Sequence, residues 1–212
     1  GARTRVWSRL KDSSLFVCPF MPGLYVGVPT TLPRLRAGVT LLAQFKLICF
    51  TEAILQDRIA LFIDGSNLYN GMRENLSNTR VNLAELVRQL KGDRSLVRTY
   101  YYNAQLTEDY DGELRDGQQR FFESLRRIPY VTVRLGRLYR RQDGTMVEKG
   151  VDVAIAVESL SLAMTDAYDC ALIVSGDGDY VELVEALKRL GKHVECAMFR
   201  NQSAGILMEH AD

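Results

Sequence analysis

The sequence is poor in the residues that build zinc sites and disulfide frameworks. It has four scattered cysteines without a CxxC pair, and two histidines, His193 and His210, that lack the spacing of zinc ligands. Cys170 and Cys196 lie in strand-like runs, where we expect buried free thiols. Because disulfides are scarce in reducing compartments, this cysteine usage favours a cytoplasmic location.

The sequence also lacks a membrane span and an overall excess of positive charge. The apolar run from Val39 to Phe50 is short and is interrupted by Gln44 and Lys46, and no clean signal peptide precedes it. The formal net charge is only +1, with +4 in residues 1–57 and −3 in residues 58–212. We therefore expect no membrane association, and any nucleic-acid contact must come from local patches.

The first 57 residues differ in composition from the rest of the chain. Four of the five prolines and the only tryptophan, Trp7, lie within the first 33 residues. We expect residues 1–57 to be a poorly ordered or atypical extension with little part in the chemistry. Residues 58–212 are predicted to form one domain, since about 150 residues can bury a full core.

From Arg58 onward, short apolar runs alternate with helical patterns. The predicted strands are 59–63, 96–102, 131–139, 171–174 and 193–199, and the predicted helices are 81–90, 113–127, 151–164, 180–190 and 203–210. Asn82 is a candidate N-cap of the first of these helices and Gly92 its stop signal. The alternation predicts an α/β fold, a three-layer sandwich with a mostly parallel central sheet.

Acidic residues follow two of the predicted strands directly. Asp64 comes after the run Ala60 to Ile63, and Asp177 and Asp179 come after Leu172 to Val174. The carboxyl ends of parallel strands are where open α/β sheets place their ligand sites. Two of these acids also have a structural interpretation, because Asp64 can belong to an Asp-Gly turn with Asn67 capping a helix, and Asp179 can be a plain N-cap. Asp177 is harder to explain structurally, since it lies just past a buried strand.

Two further acids precede or begin the helix predicted over 151–164. Asp152 can complement the helix dipole, and Glu148 shares its face if the helix begins early enough. Considered together, the acids of separate segments form a set of hard oxygen ligands without His or Cys. Such a set suits Mg²⁺ or Mn²⁺, and a metal held there can activate water beside a phosphate.

Three motifs in order give the chain a family resemblance: FIDGSNLY, EKGVDVAIAVE and SGDGDYVELVEALKRLGKHVE. From Arg58 to Asp212 the sequence resembles the NYN-type, LabA-like branch of the PIN nuclease superfamily. The resemblance implies a PIN-like fold and a ribonuclease dependent on Mg²⁺ or Mn²⁺. It assigns catalytic and metal-binding roles to Asp64, Asp152, Asp177 and Asp179. Asp212 matches a further metal-binding acid at the final helix. Because the family pattern continues beyond this acid, we expect the C-terminal edge of the domain to be incomplete.

Single-stranded RNA is the predicted partner. Candidate substrate-binding residues are the polar groups beside the acids and the nearby cations: Ser66, Asn67, Lys149, Arg137, Arg140 and Ser175. The cations can instead be ordinary solvent-exposed residues. We expect most of the tyrosines from Tyr100 to Tyr102 to be core residues. The sequence leaves open whether the protein forms a homodimer, and no protein partner can be inferred from it.

Other functions fit the sequence less well. A phosphatase of the haloacid dehalogenase type would need an acid two residues after Asp64, where Ser66 stands, and no GxGxxG follows the first strand for a dinucleotide. The serious alternative is a non-catalytic RNA-binding or regulatory module that retains the fold. Against this alternative stands the full set of acids, which an inactive copy would be free to lose.

Overall fold

Strands and helices alternate along the chain much as the patterns predict. The computed structural model describes residues 15–17, 57–76, 79–108, 110–141, 143–199 and 205–212. The strands are β1 (Leu15–Val17), β2 (Arg58–Asp64), β3 (Ser95–Gln105), β4 (Val131–Arg140), β5 (Met146–Lys149), β6 (Cys170–Val174) and β7 (His193–Phe199). The α-helices are α1 (Gly65–Asn75), α2 (Leu83–Lys91), α3 (Gly112–Arg126), α4 (Val151–Met164), α5 (Val181–Arg189) and α6 (Gly205–His210), and a 3₁₀ turn spans Gly178–Tyr180.

One sheet joins the strands in the order β1-β7-β6-β2-β3-β4-β5. The strands β7, β6, β2, β3 and β4 run parallel, whereas β1 and β5 are antiparallel edge strands. The chain builds outward from β2 through β3 to β4 and then returns to the other side of β2 with β6. The strand order therefore reverses between β2 and β6, which is where open α/β sheets bind ligands.

The strand β2 shows why the fold has three layers. Ala60 and Phe62 pack with the helices α4, α5 and α6, while Ile59, Leu61 and Ile63 pack with α1, α2 and α3. All five side chains are fully buried, as expected for a parallel strand covered on both faces. The predicted α/β class, with a mostly parallel sheet between two helical layers, is confirmed.

The helix and strand boundaries agree with the local signals in most places. Asn82 caps α2 by accepting a hydrogen bond from the backbone N–H of Glu85, and Gly92 follows the helix in a conformation with φ of 57°. The sequence patterns missed α1, which is rich in glycine and asparagine, residues that disfavour helices. They also missed β5, because a four-residue strand is defined by its pairing with β4.

Part of the N-terminal extension contributes to the sheet. Leu15–Val17 forms β1, which pairs with the end of β7 through the register Leu15 to Phe199. The expectation of a poorly ordered or atypical extension covers residues 1–57, of which residues 1–14 and 18–56 lie outside the described residues. Among the helices that the structure describes, none has the length and apolar character needed to cross a membrane.

Candidate active site

Asp64 occupies the point where the strand order reverses. It is the last residue of β2 and is buried, with 6% of its surface exposed. Its Oδ1 atom accepts a hydrogen bond of 2.9 Å from the backbone N–H of Asn67, so Asp64 itself is the N-cap of α1. The alternative in which Asn67 caps a helix is therefore wrong. The bond to α1 fixes the carboxylate of Asp64 at the carboxyl end of the central strand β2.

Gly65 allows this turn to form against the neighbouring strand. A Cβ atom at position 65 would lie 2.5 Å from the Cζ and hydroxyl oxygen of Tyr101 and 2.6 Å from the carbonyl oxygen of Tyr102. The backbone that presents Asp64 thus lies directly on β3. No side chain can be added at position 65 unless the turn moves.

Replacing Gly65 with Ala is expected to lower the free energy of unfolding by about 2 kcal/mol through overpacking. The matched control is Gly117→Ala on α3, where the added Cβ would meet only the Arg120 side chain at 4.0 Å. That control should stabilise the helix by up to about 1 kcal/mol, because Ala is the better helix former. Urea unfolding measures both, and equal effects of the two substitutions would contradict the close approach.

Three carboxylates from three elements converge near the end of β2. Asp152 lies in the first turn of α4, and the hydroxyl of Tyr180 donates to its Oδ1 atom at 2.9 Å. The same hydroxyl lies 3.4 Å from Oδ2 of Asp64. Glu148 accepts a hydrogen bond of 2.6 Å from the hydroxyl of Ser66. Glu148 belongs to β5 and not to α4, so the expected shared helix face is wrong and a hairpin brings this acid to the site.

The converging carboxylates leave negative charge without a cationic partner. Burial raises the pKa of Asp64 to about 6, and the charges of Glu148 and Asp152 act in the same direction. Burial also raises the pKa of Glu148, with a further contribution from Asp152. Within the described part of the chain, no Lys or Arg side chain bonds to these three carboxylates, so the site favours an added cation.

The third acidic motif forms the 3₁₀ turn beside this cluster. Asp177 caps the turn by accepting a 3.0 Å hydrogen bond from the backbone N–H of Asp179. Asp179, the predicted N-cap of the following helix, is exposed, and α5 begins after Tyr180 with no side-chain cap. The charge of Asp177 also contributes to the raised pKa of Tyr180, after burial and the charges of Asp64 and Asp152. Asp177 thus precedes by three residues the tyrosine whose hydroxyl contacts Asp152, whereas in the part of the chain that the structure describes no hydrogen bond joins Asp179 to a group of the cluster.

Two predicted substrate-binding residues hold the loop after β6 that carries Asp177. Oδ1 of Asn67 accepts a 2.9 Å hydrogen bond from the backbone N–H of Gly176. The hydroxyl of Ser175, a buried residue, accepts from the backbone N–H of Asp177 at 3.2 Å. The Asn67 bond links the first turn of α1, next to Asp64, to the loop after β6, whereas the Ser175 bond lies within that loop and braces Asp177.

The predicted cations lie on the β4–β5 hairpin. Arg137 pairs with Lys149, and Leu138 pairs with Glu148. Because side chains alternate along a strand, Arg137 and Lys149 lie on the opposite face of the hairpin from Glu148, whereas Arg140 shares its face. The Lys149 ammonium lies 5.4 Å from the centre of the exposed Tyr139 ring.

The neighbouring aromatic and basic residues are part of the framework. Tyr100, Tyr101 and Tyr102 are buried, as predicted for core residues. Arg134 forms an ion pair with Glu158 at 2.6 Å, and the hydroxyl of Tyr102 donates to the same carboxylate. These contacts attach α4 to β3 and β4, so they stabilise the site without lining it.

Asp212 lies at the amino ends of the parallel strands, whereas Asp64 lies at a carboxyl end. The prediction that Asp212 binds the metal is therefore corrected. Its Oδ2 atom accepts from the backbone N–H of Val194, near the start of β7, and its Oδ1 atom is 3.0 Å from the Lys188 ammonium. The Nδ1 atom of His193 lies 3.2 Å from Oδ2 of Asp212. Because β7 and β2 run in the same direction, the start of β7 lies at the opposite end of the sheet from Asp64, which ends β2. Asp212 therefore links α6 to β7 and α5.

Sequence reasoning missed two members of the site. The sequence pattern places Tyr180 only at the start of a helix, and the family resemblance gives Glu148 no metal-binding role. The signal for Tyr180 is its place inside the third motif, directly after Asp179, but its contact with Asp152 exists only in the fold. Across the described residues, no three His, Cys, Asp or Glu side chains are grouped closely enough to hold a metal ion as they stand.

Comparison with known proteins agrees with the fold and the motifs. The family model of the NYN domain matches residues 58–212. This match does not distinguish a LabA-like branch. A crystal structure of a protein of unknown function from Vibrio parahaemolyticus RIMD 2210633 is similar, with a TM-score of 0.52 and 26% sequence identity over 66% of this chain and 79% of that chain. No curated protein matches this chain.

Proposed function

Because the chain belongs to the NYN domain family of the PIN-like superfamily, whose members are generally nucleases, we propose that it is a metal-dependent ribonuclease. Its substrate is single-stranded RNA, and the reaction is hydrolysis of a phosphodiester bond. The observation that carries the proposal is the convergence of Asp64, Glu148 and Asp152 at the reversal of strand order, where no Lys or Arg among the described residues forms an ion pair with them.

The chemistry of the donor set fits Mg²⁺ or Mn²⁺. All the donors are carboxylate oxygens, and the raised pKa of Asp64 indicates a site that gains from a positive charge. Asp64 and Asp152 would hold the ion, with Glu148 and Asp177 close by and Asp179 at the exposed rim. A bound ion would supply an activated water and stabilisation of the leaving oxygen.

The remaining side chains would orient the acids and the substrate. Ser66 holds the carboxylate of Glu148, and Asn67 and Ser175 hold the loop that carries Asp177. Arg140 lies on the same face of the hairpin as Glu148 and is the best placed cation for a substrate phosphate. Arg137 and Lys149, on the other face, would contact the strand farther from the acids, with Tyr139 beside them for stacking.

Cleavage of a labelled single-stranded RNA with Mn²⁺ or Mg²⁺ tests the proposal. We expect cleavage that stops in EDTA and that falls by at least about 100-fold in Asp152→Asn, since metal catalysis contributes several kcal/mol. The matched control is Asp116→Asn, the same chemical change on the exposed surface of α3, which should keep full activity. Equal rates in the two variants would refute the assigned site.

A non-catalytic RNA-binding module is the second candidate. It is favoured by one observation, namely that the described acids do not form a ready three-ligand metal group. The same experiment separates the two functions. RNA binding that needs no metal and is never followed by cleavage would favour the module.

A further inference from the structure

The Tyr180 hydroxyl lies between carboxylates that belong to different elements. It donates to Asp152 of α4 at 2.9 Å and is 3.4 Å from Asp64 at the end of β2. The Tyr180 residue is buried, and its ring packs in the core cluster shared by α4, α5 and α6. Because the ring is held by this core, the position of the hydroxyl is fixed relative to the backbone of β2 and α4.

The Asp152 carboxylate depends on this hydroxyl for its orientation. Asp152 is exposed in the first turn of α4, where its side chain could adopt several rotamers. In the described residues, the Tyr180 hydroxyl is the one group that donates a hydrogen bond to this carboxylate. Without that donor, repulsion from Asp64 and Glu148 would favour rotamers that point away from the site.

The phenol has a property that Lys or Arg would lack at this position. It donates one hydrogen bond without adding a positive charge, so the acids stay close together and remain negative. A cationic donor would neutralise the charge that attracts a metal. A tyrosine therefore holds the carboxylates in place and leaves the full electrostatic attraction for the ion.

We propose that Tyr180 is a positioning residue, which orients the carboxylate of Asp152 toward Asp64 so that the two acids bind one divalent cation. This inference rests on the proposed function. It assigns to Tyr180 a role that acts through Asp152 and not through contact with RNA.

Titration of the full chain with Mn²⁺ in the absence of RNA, followed by electron paramagnetic resonance, tests the role. Tyr180→Phe keeps the ring and removes the hydroxyl, and we expect a loss of about 10- to 100-fold in Mn²⁺ affinity, as is typical for groups that orient metal ligands. The matched control is Tyr168→Phe. Tyr168 is an equally buried tyrosine whose hydroxyl donates to the carbonyl of Ser159, away from the acids, and its variant should bind Mn²⁺ as the wild type does.

A double-mutant cycle with Asp152→Asn separates positioning from a structural role of the tyrosine. If Tyr180 acts through Asp152, Tyr180→Phe weakens Mn²⁺ binding in the wild-type background and has little further effect beside Asp152→Asn. Additive losses, or a Tyr180→Phe variant that binds as tightly as Tyr168→Phe, would overturn the proposal. Absence of Mn²⁺ binding by the wild type would instead overturn the proposed function and this role with it. Thermal melts in EDTA check that each variant is folded.

Discussion

Replacing Asp64 with Asn is expected to abolish RNA cleavage and, at the same time, to stabilise the protein at pH 8. The carboxylate is buried next to Glu148 and Asp152, and its pKa is raised to about 6. Folding therefore opposes its ionisation. Asparagine carries no charge and is an equally good N-cap, so the bond to the backbone N–H of Asn67 is kept.

The pH dependence of this stabilisation has a definite sign. The folded-state pKa lies above the unfolded value, so the wild type loses stability as the pH rises from about 4 to about 6. A shift of about two pKa units corresponds to roughly 3 kcal/mol as an upper limit. We expect Asp64→Asn to raise the free energy of unfolding by about 2 kcal/mol at pH 8 and to have little effect at pH 4.

Urea unfolding at the two pH values, together with the RNA cleavage assay, checks both parts of this prediction. The control is again Asp116→Asn, which should change neither quantity. Added Mn²⁺ should stabilise the wild type but not Asp64→Asn, because a ligand stabilises only the state that binds it. A variant less stable than the wild type at pH 8 would contradict the electrostatic account of Asp64.

Loss of Arg94 is expected to destabilise the fold strongly. Arg94 lies just before β3, at the amino ends of the parallel strands and so opposite the site. Its guanidinium lies 2.6 Å from Oε1 of Glu195, whose side chain is only 2% exposed. Arg94 also donates to the carbonyl oxygens of Leu90 and Lys91 at the end of α2. Within the described residues, Oε2 of Glu195 has no hydrogen-bond partner, and the Nε2 atom of His193 stays 3.8 Å from Oε1, beyond hydrogen-bond distance. The hydrogen bond from Arg94 is therefore the main contact that offsets the burial of this carboxylate.

We expect Arg94→Met to lower the free energy of unfolding by about 3 kcal/mol, because it leaves a buried charge uncompensated. The matched control is Arg88→Met, which removes the partner of Glu85 in an exposed ion pair on α2 and should have a much smaller effect. The double variant Arg94→Met with Glu195→Leu should recover much of the loss. Equal effects of Arg94→Met and Arg88→Met in urea unfolding would contradict the prediction.

Local sequence determined the elements that depend on neighbouring residues. The span of α4 is predicted correctly from its apolar spacing, and that of β7 from its apolar run. Asn82 and Gly92 define the ends of α2, because capping and positive φ are properties of a few adjacent residues. Burial of β2 on both faces follows from its unbroken apolar run.

The candidate site was predictable only in part, for a physical reason. Asp64 and Asp177 follow strands, and the ends of parallel strands share one edge, so their approach could be inferred from the order of elements. The positions of Glu148 and Asp212 could not. Glu148 reaches the site through the pairing of β5 with β4, and Asp212 packs at the start of β7. Both contacts join segments whose pairing is decided by the whole fold.

The sequence by itself determined the α/β class and which acids are available for a metal. The tertiary structure decided which of them meet, because convergence depends on strand order, on the hairpin and on one buried hydroxyl. Tyr180 shows this difference most clearly. Nothing in its local sequence marks it as a partner of Asp152, which is 28 positions away, yet core packing places its hydroxyl between the two acids.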